Sequence, residues 1–146
     1  MKVVADTGPL VAAANVRDEA HALAAELVTA LGRGLTVLDT VLVEVDHLLR
    51  GRVGRHAARA FLGSLAAGEH EAAYLTPGLF RRAVAFDASY ADLDLGLTDA
   101  SVMAYAERHG AAILTFDFEH FRATRPSRGF WRLVVDEERY GEATRG

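Results

Sequence analysis

Short apolar runs alternate along the chain with longer segments in which apolar residues recur every three or four positions. The short runs predict buried β-strands, and the longer segments predict amphipathic helices. The predicted strands cover residues 2–5, 35–38, 72–75, 111–116 and 130–135. The predicted helices begin at Gly8-Pro9 and at Asp39 or Thr40, the latter ending at Gly51, and otherwise cover residues 20–31, 54–67, 79–90 and 101–109.

This alternation also indicates how the elements pack. Short strands that are apolar on both faces and separated by helices are typical of a parallel sheet with helices on both faces. The sequence contains no internal repeat, low-complexity tract or linker. We therefore predict one α/β domain, a central parallel sheet flanked by helices, over residues 1–135. A polar tail at residues 136–146 follows it, and we expect this tail to fray.

The composition is that of a globular protein. With 146 residues, of which 51% are apolar and 25% charged, the chain is long enough to bury one core and too apolar to be disordered. No apolar run approaches the roughly 18 residues that span a membrane, and Asp6 interrupts the N-terminal run too early for a signal peptide. The absence of cysteine excludes disulfides and thiolate metal ligands, and it agrees with a cytoplasmic protein.

The basic residues are unevenly distributed, although the net charge of −4 does not suggest a nucleic-acid-binding protein. Fifteen of the sixteen basic residues are arginine, and two groups of four arginines contain no acid between them. Such groups can contact phosphates even on an acidic protein, and they can equally form a solvated surface. The sequence leaves both interpretations open for the two groups, which are Arg50, Arg52, Arg55 and Arg59, and Arg122, Arg125, Arg128 and Arg132.

Two aspartates directly follow predicted strands. Asp6 follows the first strand, and Asp117 follows the run Ala-Ala-Ile-Leu-Thr-Phe. Ligands of parallel sheets bind beyond the carboxyl ends of the strands, so we expect both acids at that edge, close together if the strands are adjacent. Aspartate is also a common turn former, and for either residue alone this simpler interpretation is preferable.

Two further acids lie on the apolar faces of predicted helices. Glu44 recurs at helical spacing with the apolar residues Val41, Val45 and Leu48. Asp99 does the same with Val102, Met103 and Ala106. Asp99 lies in a first helical turn, where the helix dipole stabilises an acid by about 0.3–1 kcal/mol. Glu44 gains less from the dipole, so a purely structural role explains it least well.

Four carboxylates at one edge would repel one another, so they must take up protons or bind a cation. Hard divalent ions prefer oxygen ligands, and four acids without cysteine suit Mg²⁺ or Mn²⁺ better than Zn²⁺. The six histidines are scattered along the sequence, and we assign none of them as a ligand. The residues alone therefore predict an acidic, cation-holding site on an α/β domain.

Four sequence motifs resemble those of PIN-domain ribonucleases, and more closely the VapC toxins of bacterial toxin–antitoxin pairs. The motifs occur in order from residue 1 to about residue 135: VVADTGPLVAAAN, VLVEVDHLLRGRVG, LGLTDASVMAYAERHG and ILTFDFEHF. The resemblance implies that the family's four acids are Asp6, Glu44, Asp99 and Asp117. It further implies that small hydroxyl groups near the metal are Thr7 and Thr115, with Asp94 as an accessory acid.

The same resemblance implies a function. It implies an Mg²⁺- or Mn²⁺-dependent endoribonuclease that leaves 5′-phosphate and 3′-hydroxyl ends. Asp6, Asp99 and Asp117 would be the principal metal ligands, and Glu44 a ligand or the residue that orients the attacking water. The implied partners are an RNA substrate, a second copy of the chain, and a cognate VapB-type antitoxin whose C-terminal segment occupies the cleft. Apart from the resemblance, the charge of arginines in and beside the second motif suits steering of the RNA backbone, with Arg50, Arg52 and Arg55 as candidates.

Alternative classes fit the sequence less well. Aspartate-nucleophile phosphatases need a second acid two residues after the first, where this chain has Gly8. Signalling receiver domains need a lysine near their C-terminal end, and the single lysine here is Lys2. A PIN-like module that has lost catalysis and binds RNA or protein remains open. Four aromatic residues in or between the last two predicted strands suit core or dimer contacts better than base stacking: Phe116, Phe118, Phe121 and Trp131.

Overall fold

Four short parallel strands form one sheet in the order β3-β2-β1-β4 in the computed structural model, which describes residues 2–145. The strands are β1 (Val3–Ala5), β2 (Leu35–Leu38), β3 (Glu71–Ala73) and β4 (Ala112–Leu114). Every pairing between neighbours is parallel, so the predicted parallel sheet is confirmed. Met1 and Gly146, the outer ends of the predicted domain and tail, lie outside the described residues.

Helices cover both faces of the sheet, as predicted. This is why β1, β2 and β4 are buried along their whole length and read as continuous apolar runs. Within residues 2–145, no helix combines the length and apolar character needed to cross a membrane. The helices are α1 (Thr7–Ala14), α2 (His21–Leu31), α3 (Asp39–Arg52), α4 (Arg55–Ala66), α5 (Pro77–Ser89), α6 (Gly96–His109), α7 (Phe118–Ala123) and α8 (Glu137–Thr144).

The fifth predicted strand, at residues 130–135, is wrong as a strand. One parallel bridge pairs Ile113 with Leu133, held by bonds from Ile113 N to Arg132 O at 2.8 Å and from Val134 N to Ile113 O at 3.0 Å. β4 itself is three residues long, because Thr115 and Asp117 turn away from the ladder to bond at the strand end. The neighbouring segment pairs with β4 through this single bridge.

The polar tail forms a helix where fraying was expected. Asp136 caps α8 by accepting a bond from Arg139 N at 2.7 Å. Tyr140 packs its ring against Phe116 and Phe118, with ring centroids 4.7 and 5.5 Å apart. One aromatic anchor and one side-chain cap thus hold a segment that is otherwise polar. The domain boundary at residue 135 stays a prediction.

Candidate metal site at the carboxyl edge of the sheet

Asp6 and Asp117 lie side by side because β1 and β4 are neighbours. Ala5 pairs with Leu114, and Asp6 N donates to Leu114 O at 2.8 Å, one residue beyond the last pair. Asp6 then caps α1, and Asp117 caps α7. Both acids therefore occupy strand-to-helix junctions at the carboxyl edge, where the ends of parallel strands meet.

A buried threonine fixes the two aspartates relative to each other. Thr115 Oγ1 donates to Asp6 Oδ2 at 2.7 Å and accepts a bond from Asp117 N at 2.9 Å. The other oxygen of Asp6 accepts a bond from Thr7 N at 2.8 Å. Thr115 is fully buried, so it supports the acids from behind and is not exposed to a ligand.

Glu44 and Asp99 reach the same place from two helices that pack against each other. Thr40 on α3 and Ser101 on α6 share a hydrogen bond between hydroxyl oxygens at 2.7 Å, which fixes how the two helices meet. Asp99 lies in the first turn of α6. Glu44 is half-buried beside the fully buried Val45, which anchors this part of α3 in the core.

These acids line one cavity of about 690 Å³. Four carboxylates, two hydroxyls and one guanidinium supply its charged and polar side chains, and leucines and a phenylalanine supply apolar walls. The lining residues are Asp6, Thr7, Gly8, Glu44, Leu48, Arg52, Leu95, Gly96, Leu97, Thr98, Asp99, Phe116 and Asp117. The structure thus brings together all four acids named from the sequence, although they are up to 111 residues apart.

Burial and repulsion oppose the ionisation of Asp6. The residue is 5% exposed. Burial and the charges of Asp99 and Asp117 together raise the pKa of its carboxyl to about 7, although the hydrogen bonds from Thr115 and Thr7 lower it. A carboxylate with such a pKa is half protonated near neutral pH unless a cation compensates it. Asp6 is therefore an acid whose environment favours a positive partner.

Asp99 is affected in the same direction. Burial raises its pKa most, the charges of Asp117 and Glu44 add to the rise, and contacts with His120 oppose it. The acids of the cavity thus act on one another as like charges, as the sequence argument required.

His120 is a site residue that the sequence analysis missed. Its Nδ1 lies 2.9 Å from Asp99 Oδ2 and 2.8 Å from Asp117 Oδ2. Burial lowers the pKa of this imidazole, but the hydrogen bond to Asp99 and the charges of Asp117 and Asp99 raise it more, and the net shift is upward. The available signal was its position three residues after Asp117, which places it in the first turn of α7, and that helix was not predicted.

Three other candidates lie apart from the acids. Asp94 is exposed, in a left-handed turn with φ of +50° before α6, and it does not line the cavity. Arg50 pairs with Asp46 on its own helix, with Nε–Oδ distances of 3.0 Å. Arg55 is exposed at the start of α4. Among the three candidate arginines, Arg52 reaches the cavity wall.

The donor set fits a hard divalent cation. Carboxylate oxygens from four elements face one space, and such ions take oxygen ligands. Thr7 supplies a second sign of fit, because its Oγ1 is buried in the cavity wall without a hydrogen-bond partner in the described structure. Buried hydroxyls rarely remain unpaired, so this atom indicates a ligand or ordered water at the site.

The fold and the site together define a class: parallel α/β domains with an acidic cluster at the carboxyl edge of the sheet. The PIN domain belongs to this class, and its family profile matches residues 3–125, which includes all four acids. The chain belongs to the PIN domain family. The resemblance read from the four motifs is therefore confirmed.

Individual relatives agree with this assignment. Ribonuclease VapC26 of Mycobacterium tuberculosis is 33% identical over 128 residues, which cover 87% of this chain and 95% of that protein. Two solved structures share the fold at lower identity. The sarcin–ricin-loop-cleaving toxin VapC20 of M. tuberculosis has a TM-score of 0.78 at 22% identity and covers 90% of this chain and 98% of its own. A toxin–antitoxin complex from Klebsiella pneumoniae has a TM-score of 0.62 at 20% identity and covers 82% and 90%.

Proposed function

We propose that the protein is a metal-dependent endoribonuclease and the toxin of a VapBC-type toxin–antitoxin module. The observation that carries the proposal is the convergence of Asp6, Glu44, Asp99 and Asp117 on one cavity, where burial and neighbouring charges raise the pKa of Asp6 and of Asp99. The ribonuclease relative at 33% identity supports RNA as the substrate.

Each acid has a separate task in this proposal. Asp6, Asp99 and Asp117 hold Mg²⁺ or Mn²⁺, and Thr115 keeps Asp6 and Asp117 in register. Glu44 holds the ion or orients the attacking water from the α3 side of the cavity. A bound divalent ion supplies Lewis-acid stabilisation of phosphoryl charge and lowers the pKa of water.

Arg52 is the arginine best placed to attract the RNA backbone. It lines the cavity, and it has no ion-pair partner within residues 2–145. A free guanidinium beside an acidic site offsets the repulsion between the carboxylates and an incoming phosphate. Arg50 and Arg55 add positive potential from outside the cavity, and Arg50 does so less because Asp46 neutralises it.

Two protein partners belong to the same proposal. The structural similarity to a toxin–antitoxin complex supports an antitoxin, and the acidic cavity with apolar walls suits an antitoxin segment that carries a basic side chain. Self-association is supported by apolar side chains left on the surface beside the site. Val43 on α3 and Leu97 on α6 are 65% and 46% exposed, and both line one shallow depression.

Cleavage of RNA tests the catalytic proposal. Purified protein is incubated with structured RNAs, either in EDTA or in Mn²⁺ or Mg²⁺. We expect cleavage when a metal ion is present and none in EDTA. Asp6→Asn keeps the size of the side chain but removes the charge, so cleavage falls by about a hundredfold or more. Asp87→Asn is the matched control, because Asp87 is exposed on α5 away from the cavity, and it should cleave like the wild type.

Two results would contradict the proposal. Cleavage that persists in EDTA or in Asp6→Asn would mean that the acid cavity is not the active site. Metal-independent RNA binding without cleavage would instead identify a PIN-like binding module.

A further inference from the structure

His120 completes a compact group of three ligand-type atoms. Its Nδ1 is 2.9 Å from Asp99 Oδ2 and 2.8 Å from Asp117 Oδ2, and one ligand atom from each of the three residues lies within 4.8 Å of the others. The imidazole is 24% exposed, so it faces the acids from a partly open position. The fold holds it there, because Phe118 and Phe121 bury the opposite side of α7.

Hydrogen bonding accounts for part of this arrangement. Nδ1 carries at most one proton, and the bond to Asp99 has hydrogen-bond geometry. The shorter contact with Asp117 Oδ2 is an ion-pair distance without that geometry. The other oxygen of Asp117 already accepts a bond from the backbone N of His120 at 3.1 Å. The single proton on Nδ1 therefore makes a hydrogen bond to Asp99 and leaves Asp117 Oδ2 without one from this nitrogen.

A divalent ion would bind His120 Nδ1 and one carboxylate oxygen each of Asp99 and Asp117 at the same time. Neighbouring ligands of an octahedral ion with bonds of about 2.1 Å lie roughly 3.0 Å apart, because they subtend a right angle. The two nitrogen–oxygen separations at His120 come close to this spacing.

We infer that His120 Nδ1 is a ligand of the cation, together with Asp99 and Asp117, and that this nitrogen makes the site select Mn²⁺ over Mg²⁺. The inference rests on the cation of the proposed function and specifies one of the two ions named there. Mg²⁺ takes oxygen ligands and retains water, and it gains little from an imidazole. First-row transition ions bind nitrogen more strongly, so the histidine adds affinity for Mn²⁺.

Pulsed electron paramagnetic resonance of bound Mn²⁺ tests the ligand directly. Metal-stripped wild-type protein is loaded with less than one equivalent of Mn²⁺, and we expect the ¹⁴N coupling of a directly bound imidazole. The coupling should vanish in His120→Gln and persist in His56→Gln, the matched control, whose histidine is exposed at the start of α4. If His120→Gln fails to fold, the wild-type spectrum still tests the inference, because absence of the ¹⁴N coupling from bound Mn²⁺ would contradict it.

Calorimetric titration tests the selectivity. We expect the Mn²⁺ affinity of His120→Gln to fall at least about tenfold, and its Mg²⁺ affinity to change by less than about twofold. Bound Mn²⁺ without nitrogen coupling, or equal losses for both ions, would overturn the inference and leave the proposed nuclease intact. Failure of the wild type to bind either ion would overturn both proposals.

Discussion

Helix α6 carries two acids in opposite electrostatic surroundings. Asp99, in its first turn, faces Asp117 and Glu44, and burial with these charges raises its pKa. Glu107, near the other end, accepts bonds from Arg82 at 2.7 and 3.0 Å and from Ser127 N at 2.8 Å. The bonds from Arg82 are the main reason that the pKa of Glu107 is lowered.

The contrast distinguishes Glu107, which stabilises the fold, from Asp99, whose surroundings favour a bound cation. Glu107 is stabilised in its charged form by groups of this chain, so its ionisation favours folding. Asp6 and Asp99 are destabilised in their charged forms, and the protein tolerates this at the one edge where a cation would reverse it. Perturbed acids gathered in a cavity are typical of functional sites.

The largest expected effect is a fall in metal-free stability as pH rises. The pKa of Asp6 is about 7 in the folded protein, above its ordinary 3.8, so the folded state binds more protons between these values and the unfolding free energy drops with rising pH. His120, whose pKa is also raised, acts in the same direction at higher pH. In EDTA we expect a loss on the order of 2 kcal/mol between pH 5 and 8, measured by urea unfolding.

Two comparisons sharpen this prediction. Asp6→Asn cannot titrate at that position, so its stability should change less over the same range. Saturating Mn²⁺ should remove the loss, because the ion favours the ionised acids. A wild-type stability in EDTA that stays constant or rises from pH 5 to 8 would show that the cavity acids do not oppose folding.

A smaller effect is expected at the other end of α6. Glu107→Gln loses the ion pair with Arg82, whose side chain is 38% exposed, so solvent screening limits the cost to about 1 kcal/mol. The lowered pKa of Glu107 affects stability as pH falls below its ordinary 4.5, so the pH 5–8 curve of the variant should run parallel to the wild type. A changed slope, or weaker Mn²⁺ binding, would mean that the two ends of α6 are coupled.

The smallest effect on stability is expected for Asp99→Asn. The substitution removes one charge from a repulsive group, so the unfolding free energy in EDTA should stay the same or rise by about 0.5 kcal/mol or less, and the melting temperature should not fall. Mn²⁺ binding should be lost. A marked fall in the melting temperature in EDTA would show that Asp99 stabilises the start of α6. The contrast drawn between Asp99 and Glu107 would then be wrong.

The sheet and most helices were predictable because their signals are local. β2 was predicted with the bounds that the structure has, since its apolar run is closed by Gly34 and Asp39. The start of α6 was placed too late, because Gly96 and Thr98 resemble loop residues, whereas Leu95 packs into the core and begins the helix earlier. Helix α7 was missed because six residues are too few to show a helical period.

The four acids could be selected from the sequence because each occupies an apolar helix face or a strand end, where a charged side chain is costly unless it is paired. His120 gave no such signal, since its importance comes from α7 turning back toward α6 after Asp117. Thr115 was named only through the family resemblance, and its bond to Asp6 could not be predicted, because that bond spans 109 positions and depends on β1 and β4 being neighbours. Contacts of this kind follow from topology, which local patterns do not encode.

The pairing of β1 with β4 has a consequence for how the protein is made. Val3–Ala5 leaves the ribosome 109 residues before Ala112–Leu114, its partner in the sheet. Asp6 and Asp117 therefore come together only after the segment between them has been synthesised. If the protein cuts cellular RNA, this order prevents the cation site from assembling on a nascent chain that ends before β4.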